Sequence, residues 1–284
     1  MPWNPAPKEP QHVIVEFSSP NVAKQLHVGH LRSTIIGDSI ARMFERAGHR
    51  VTRLNHIGDW GTPFGMLIAY LRRNHPDVLQ RKQEASLHDL EAWYKAARTA
   101  FDSDATFKAE AHEAVVEMQA KKPAALNAWK VICDISRSAF TEIYSRLDIR
   151  LEERGESFYE PMLPDVIRRL EDKELVEISD GARCVFLEGY VTRDGNPLPL
   201  IVQKSDGGFN YASTDLAAMR HRAEKEKADR IIVVVDSGQS LHLDMVHKAA
   251  VRAGFINPNQ SRFEHVGFGL VLGEDGKKIK TRSG

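Results

Sequence analysis

The segment Ser18-Ser19-Pro20-Asn21-Val22-Ala23-Lys24-Gln25-Leu26-His27-Val28-Gly29-His30 constrains the fold more than any other, because it joins two patterns of different period. Ahead of it, Val13-Ile14-Val15-Glu16-Phe17 is a short β-branched run of the kind that becomes a buried parallel strand. Behind it, Leu31, Ile35, Ile36, Ile40, Met43 and Phe44 recur at helical spacing until Gly48 stops the helix. Strand, polar turn and helix open a βαβ unit, whose ligands lie at the carboxyl end of the strand. A helix beginning near His27 would set His27 and His30 on one face of its positive N-terminus, where anions bind. Gly29 between them has no side chain and lets a flat ring such as adenine approach the backbone. Taken alone, the pattern also fits two histidines and a glycine that fell together at a helix start.

The rest of the chain reads as walls around that corner. Met1 to Gln11, with Pro2, Pro5, Pro7 and Pro10, is an extended lead-in. Val51 to Leu54 supplies a second strand, which a right-handed crossover places parallel to the first. It runs into Asn55-His56-Ile57-Gly58-Asp59-Trp60-Gly61-Thr62, where Asp59 either caps the next helix or takes part in chemistry, and Trp60 either fills the core or does the same. From Arg72 to about Asp148 the pattern is helical and charge-laced, broken only by Pro76 and Pro123. His88 and His112 within it have no partner at metal spacing and read as surface or core residues.

Residues 149 to 213 turn strand-rich, with hairpin signals at Asp180-Gly181 and Asp194-Gly195-Asn196. Ser213-Thr214-Asp215 then begins a helix. Arg230-Ile231-Ile232-Val233-Val234-Val235-Asp236 is the clearest buried parallel strand, and Ser237-Gly238-Gln239-Ser240 turns from it into another helix from His242. That repeats the opening layout, giving the two halves of a doubly wound domain. The expected organisation is the lead-in at 1–11, a first half of the Rossmann-like domain at 12–74, an insertion at 75–200, helical and then strand-rich, and a second half at 201–284. Lys277, Lys278, Lys280 and Arg282, with glycines around them, form either a solvated charge run or a basic loop suited to polyphosphate.

With 284 residues the chain can bury a substantial core, and 42% hydrophobic against 27% charged residues describe a globular protein. No run of eighteen apolar residues and no signal-peptide pattern occurs, so a cytoplasmic location is expected. Cys133 and Cys184 alone can build neither a disulfide framework nor a four-cysteine zinc site. Lys and Arg equal Asp and Glu at 39 each, so no global positive field advertises nucleic acid, and any RNA contact is local or made by a part not in this chain.

Glu16-Phe17-Ser18-Ser19-Pro20-Asn21 leading to His27-Val28-Gly29-His30 resembles the first signature of the class I aminoacyl-tRNA synthetases, the arginyl enzymes in particular. The stretches Leu31 to Asp38, Asn55 to Thr62, Lys204-Ser205-Asp206-Gly207-Gly208, and Gly269 to Gly284 are similar as well, in the same order, so the resemblance covers about residues 12 to 284. It implies an α/β fold, the doubly wound parallel-sheet, Rossmann-like catalytic domain of class I synthetases with a largely helical insertion. Such enzymes normally add an N-terminal domain that contacts tRNA and a C-terminal helical domain that reads the anticodon. Neither fits here, and the chain stops inside a loop whose Lys-Ile-Lys-Thr-Arg is a variant of the second signature, so a catalytic-domain fragment is expected.

The resemblance implies ATP-dependent ligation of L-arginine to its tRNA through an arginyl-adenylate, releasing AMP and pyrophosphate. It implies that His27 and His30 act at the α-phosphate and that Lys278 and Lys280 reach the leaving pyrophosphate, with Lys24 assisting and Gly29 beside the nucleotide. Magnesium arrives bound to ATP, and neither zinc nor another protein-held metal is expected. A guanidinium, a planar fork of five donors with permanent charge, needs carboxylates in its pocket, and Glu16 and Asp215 are the candidates, Tyr211 lying one turn before Asp215. By the resemblance Ser19, Asn21 and Gln239 also hold the amino acid. On the residues alone, Asp215 is equally an N-cap and Gln239 a turn residue. A monomer that binds tRNA, arginine and ATP, with no membrane partner, is expected. The alternatives are a cysteine enzyme of the same class, which would need zinc ligands that two scattered cysteines cannot supply, and a truncated synthetase-like binding protein without full charging activity.

Overall fold

The computed structural model describes residues 9–270. Its elements run, in chain order, β1 (His12–Glu16), α1 (Val28–Arg46), β2 (Arg50–Asn55), α2 (Thr62–Asn74), α3 (Pro76–Leu79), α4 (Leu87–Ser103), α5 (Ala105–Gln119), α6 (Pro123–Arg146), β3 (Glu152–Glu153), α7 (Glu156–Tyr159), α8 (Leu163–Asp172), β4 (Glu177–Ser179), β5 (Ala182–Val191), β6 (Pro197–Gln203), α9 (Tyr211–Glu224), β7 (Arg230–Asp236), α10 (Ser240–Arg252) and β8 (Arg262–Phe268). They form two units: Ser19–His27 and Ile57–Arg150 make one, and the remaining described residues the other. Residues 57–74 thus belong with the helices, and residues 151–200 with the sheet, a grouping by contact rather than by chain order.

In the sheet unit five parallel strands lie in the order β3-β2-β1-β7-β8. The central strands are apolar on both faces because both are covered. Ile14, Leu54, Ile231 and Val233 point into a core shared with α8, α9 and α10, each buried side chain contributing about 1.5–3 kcal/mol. By alternation Val13, Val15, Ile232 and Val234 face the other way, and α1 packs across β1, β2 and β7. Gly37 of α1 lies against Phe17, so close that a Cβ there would overlap the ring.

A small antiparallel sheet, β4-β5-β6, adds Val185, Leu187, Tyr190, Leu200 and Val202 to the same core. Its first turn, Asp180-Gly181, has φ of 50° and 76°, the paired left-handed conformation that the Asp-Gly signal demands. Cys133 and Cys184 are buried, and neither is in a disulfide. Among the described residues no helix is long and apolar enough to cross a membrane.

In the helical unit α2 packs against α4, α5 and α6 around Phe64, Leu67, Ile68, Leu71, Leu90, Met118 and Ile132. The expected breakers Pro76 and Pro123 do not interrupt helices here. They open α3 and α6, where a missing N–H costs nothing. Ser86 closes a capping box with Asp89, and Asp104 accepts the Thr106 and Phe107 N–H groups at the start of α5. Asp59 does not cap α2, since Gly61 holds that position at φ 105°. Asp59 is buried instead, its carbonyl accepting the Trp129 indole N–H at 2.7 Å, while Trp60 packs edge-on to Trp129.

Candidate active site

The strand order decides where a ligand can sit. From β1 the chain crosses by α1 to β2 on one side, while β7 occupies the other, so the carboxyl ends of β1 and β7 flank the topological switch point. Glu16 ends β1, His56 follows β2, and Ser237–Gln239 forms a single 3-10 turn after β7. The corner after β1 is pinned by a relay: the Ser18 N–H donates to Ser33 Oγ at 2.9 Å, and the Ser33 hydroxyl donates to the Val234 carbonyl at 2.5 Å. Ser18, Ser19 and Ala23 have φ of 69°, 46° and 61°, a left-handed conformation costing about 1–2 kcal/mol per residue that surrounding structure must over-determine.

The helix starts at Val28, one residue later than two histidines on one face require. His30 therefore sits half-buried in the first turn of α1, its carbonyl accepting the Thr34 hydroxyl at 2.7 Å, with Gly29 beside it. His27 is exposed and immediately precedes the helix. The N–H groups of the first turn leave this end of α1 suited to anions.

Asp215 is not an N-cap. Asn210 takes that place, accepting the Ala212 and Ser213 N–H groups, so α9 begins at Tyr211. Tyr211, Asp215 and Arg222 then fall at intervals of four and seven, on one face of α9. At the inner end of that face Arg222, 2% exposed, pairs with Glu16 at 2.5 Å. Burial pulls the Arg222 guanidinium pKa down, and the Glu16 charge more than offsets it, so Arg222 is held above its ordinary value and stays charged. Farther out, Asp215 Oδ2 lies 2.6 Å from His242 Nε2 and Oδ1 lies 4.0 Å from His56 Nε2. The Tyr211 ring, largely exposed, meets His242 edge-on with centroids 4.7 Å apart, and the fully buried Tyr159 ring lies 5.4 Å from His56. Gln239 is exposed in the turn after β7, which Asp236 fixes by accepting the Gly238 N–H at 2.9 Å.

The sheet unit thus gathers Glu16, Tyr211 and Asp215, and adds three residues that the sequence reading left out of the site: His56, Arg222 and His242. His56 stands just past the end of β2 and His242 in the first turn of the helix that follows β7, a signal that was available. Arg222 had none, since it sits in the last turn of α9 within a charged stretch. A cavity of about 490 Å³ opens along α10 and β8, lined by Ser240, Leu241, Asp244, His247, Phe263 and His265.

Ser19, Asn21, Lys24 and His27 belong to the helical unit. Asn21 is tied to Gly58 by a short parallel bridge, in which the Val22 N–H donates to the Gly58 carbonyl and the Gly58 N–H to the Pro20 carbonyl, both at 3.0 Å. Any Cβ at Gly58 would overlap the Asn21 amide oxygen. The Ala23 N–H donates to Ser136 Oγ at 3.1 Å, and the Lys24 ammonium stands 6.0 Å from the Tyr94 ring centre. Lys278 and Lys280 lie outside the described residues. Among the described residues no group of three His, Cys, Asp or Glu side chains could hold a metal ion.

Comparison with known proteins bears on this arrangement. The family model described as tRNA synthetases class I (R), catalytic domain, matches residues 3–284. An arginine–tRNA ligase of Protochlamydia amoebophila is 54% identical over 280 residues, covering 99% of this chain and 48% of that protein. One from a Synechococcus species is 57% identical over 275 residues, covering 97% of this chain and 47% of that protein. The crystal structure of arginyl-tRNA synthetase from Plasmodium falciparum superposes with a TM-score of 0.81 at 36% identity, over 93% of this chain and 44% of that one. The chain spans about half the length of the curated relatives it matches. It belongs to the family of class I tRNA synthetase (R) catalytic domains.

Proposed function

We propose that the chain is the catalytic domain of an arginine–tRNA ligase that uses ATP. The observation that carries this reading is Asp215, a partly buried carboxylate on α9 beside two imidazoles and the exposed Tyr211 ring. A carboxylate with an aromatic neighbour suits a planar, permanently charged fork. Glu16, Ser19, Asn21, Tyr211 and Gln239 complete the arginine site in this reading.

In the first step an arginine carboxylate oxygen attacks the α-phosphorus of ATP, the bond to the β-phosphate oxygen breaks, and pyrophosphate leaves. Charge grows on the α-phosphate oxygens, and His30 in the first turn of α1, with His27 before it, opposes that charge more strongly in the transition state than in the ground state. Gly29 lets the nucleotide approach the backbone, Lys24 assists, Lys278 and Lys280 draw off the pyrophosphate, and ATP brings magnesium as part of the substrate. In the second step a ribose hydroxyl of the terminal adenosine of tRNA attacks the acyl carbon, and AMP leaves. The protein acts as a monomer in the cytoplasm.

The test is charging of arginine tRNA by the full-length protein. Arginine is incorporated in an ATP-dependent manner, and His30→Ala lowers kcat by about 100-fold or more, the scale of a lost transition-state donor. Absence of charging by the full-length protein, with His30→Ala indistinguishable from it, would sink the reading.

A further inference from the structure

We infer that His242 is a positioning residue for Asp215, and that its protonation state couples arginine binding to pH. The inference rests on the reading that Asp215 receives the guanidinium. His242 stands in the first turn of α10 with Nε2 2.6 Å from Asp215 Oδ2, close enough to fix the carboxylate rotamer. Few other groups bear on this pair. From α9 there are Asp215 itself and Tyr211. Past β2 there is His56, 4.0 Å from the other carboxylate oxygen. At the end of β7, Asp236 accepts the Gly238 N–H, and on α10 Asp244 is occupied with the Tyr190 hydroxyl and Lys248. At the end of β1, Glu16 is occupied with Arg222.

The chemistry follows from counting charge. A neutral His242 donates one N–H to Oδ2, and the carboxylate keeps its full negative charge and the remaining lone pairs for a guanidinium. A protonated His242 makes the same hydrogen bond but cancels the charge, so an arriving cation meets a neutral pair. Reciprocity then requires that binding a cation at Asp215 expel a proton from His242. His242 needs no contact with substrate for this, since it acts through the carboxylate it holds.

The experiment uses the full-length protein and its His242→Gln, His242→Ala and Asp215→Asn variants. Arginine KM and kcat are read by pyrophosphate exchange at pH 7.5 and 6.0, and calorimetry of arginine binding in two buffers of different ionisation enthalpy counts protons released. In the unmodified protein KM rises by about threefold or more on acidification while kcat changes less, and binding releases protons. His242→Ala raises KM by about tenfold at pH 7.5. His242→Gln, which keeps a donor at the Nε2 position but cannot titrate, recovers most of that loss and abolishes both the pH dependence and the proton release. If His242→Gln keeps the original pH dependence and proton release while Asp215→Asn raises KM, the role of His242 is refuted and the arginine site stands. If Asp215→Asn leaves arginine KM unchanged, the site assignment itself is refuted.

Discussion

Two carboxylates of the proposed arginine site have different partners in the structure. Glu16 neutralises Arg222 inside the sheet unit, whereas Asp215 is held by imidazoles and stays partly open. Replacing Glu16 with Ala leaves a buried guanidinium without its counter-charge, and destabilises the fold by about 3–5 kcal/mol, read as a lower urea midpoint. Asp215→Asn leaves stability nearly unchanged and raises arginine KM by about 100-fold or more, the scale of one uncompensated charge. That acidic side chains are needed for a guanidinium was legible from chemistry alone. The partner of each carboxylate was not, because the Glu16–Arg222 and Asp215–His242 pairs join residues far apart in the chain and exist only once α9 and α10 are packed on the sheet.

At the scale of elements, periodicity carried most of what could be read. The β-branched runs before the first turn and at Arg230–Asp236 are adjacent strands, and the stretch from Leu31 onward is a helix, but the face it packs across them is Ser33, Thr34, Gly37, Asp38 and Ala41, while Leu31, Ile35 and Met43 of the apolar periodicity are exposed. Boundaries were less legible. Ser213-Thr214-Asp215 offers three good capping residues, yet Asn210 takes the cap because its side chain reaches two N–H groups while Ser213 donates to the Val202 carbonyl. Asn210→Ala therefore costs about 1 kcal/mol and loosens the turn that carries Tyr211 and Asp215, measurable as a lower melting temperature with a higher arginine KM. Gly37 holds α1 against Phe17, and Gly37→Ala overpacks that contact at a cost of about 1–3 kcal/mol in denaturant titration.

For the molecule as a whole, chain order and spatial grouping part company: the helices that follow β2 and the short stretch Ser19–His27 form their own unit, a grouping set by long-range packing that no local pattern encodes. In the sheet unit His221 and His247 are held below the ordinary imidazole range, chiefly by burial. The unfolded chain, titrating near the ordinary imidazole value of about 6.5, binds more protons than the folded one, so this contribution to stability is complete above that value and is lost as pH falls through the folded values. The melting temperature consequently falls between pH 7 and pH 5, by less in His247→Gln, as calorimetric scans at several pH values would record. The central claim is that an arginine guanidinium at Asp215 and ATP at the corner after β1 meet in one reaction. Its most direct measurement is pyrophosphate exchange into ATP by the full-length protein with arginine tRNA present, comparing arginine with citrulline, which keeps the shape but lacks the charge. Exchange with arginine, none with citrulline and loss of exchange in Asp215→Asn at limiting arginine are expected. No exchange with arginine, or equal exchange with citrulline, contradicts the account.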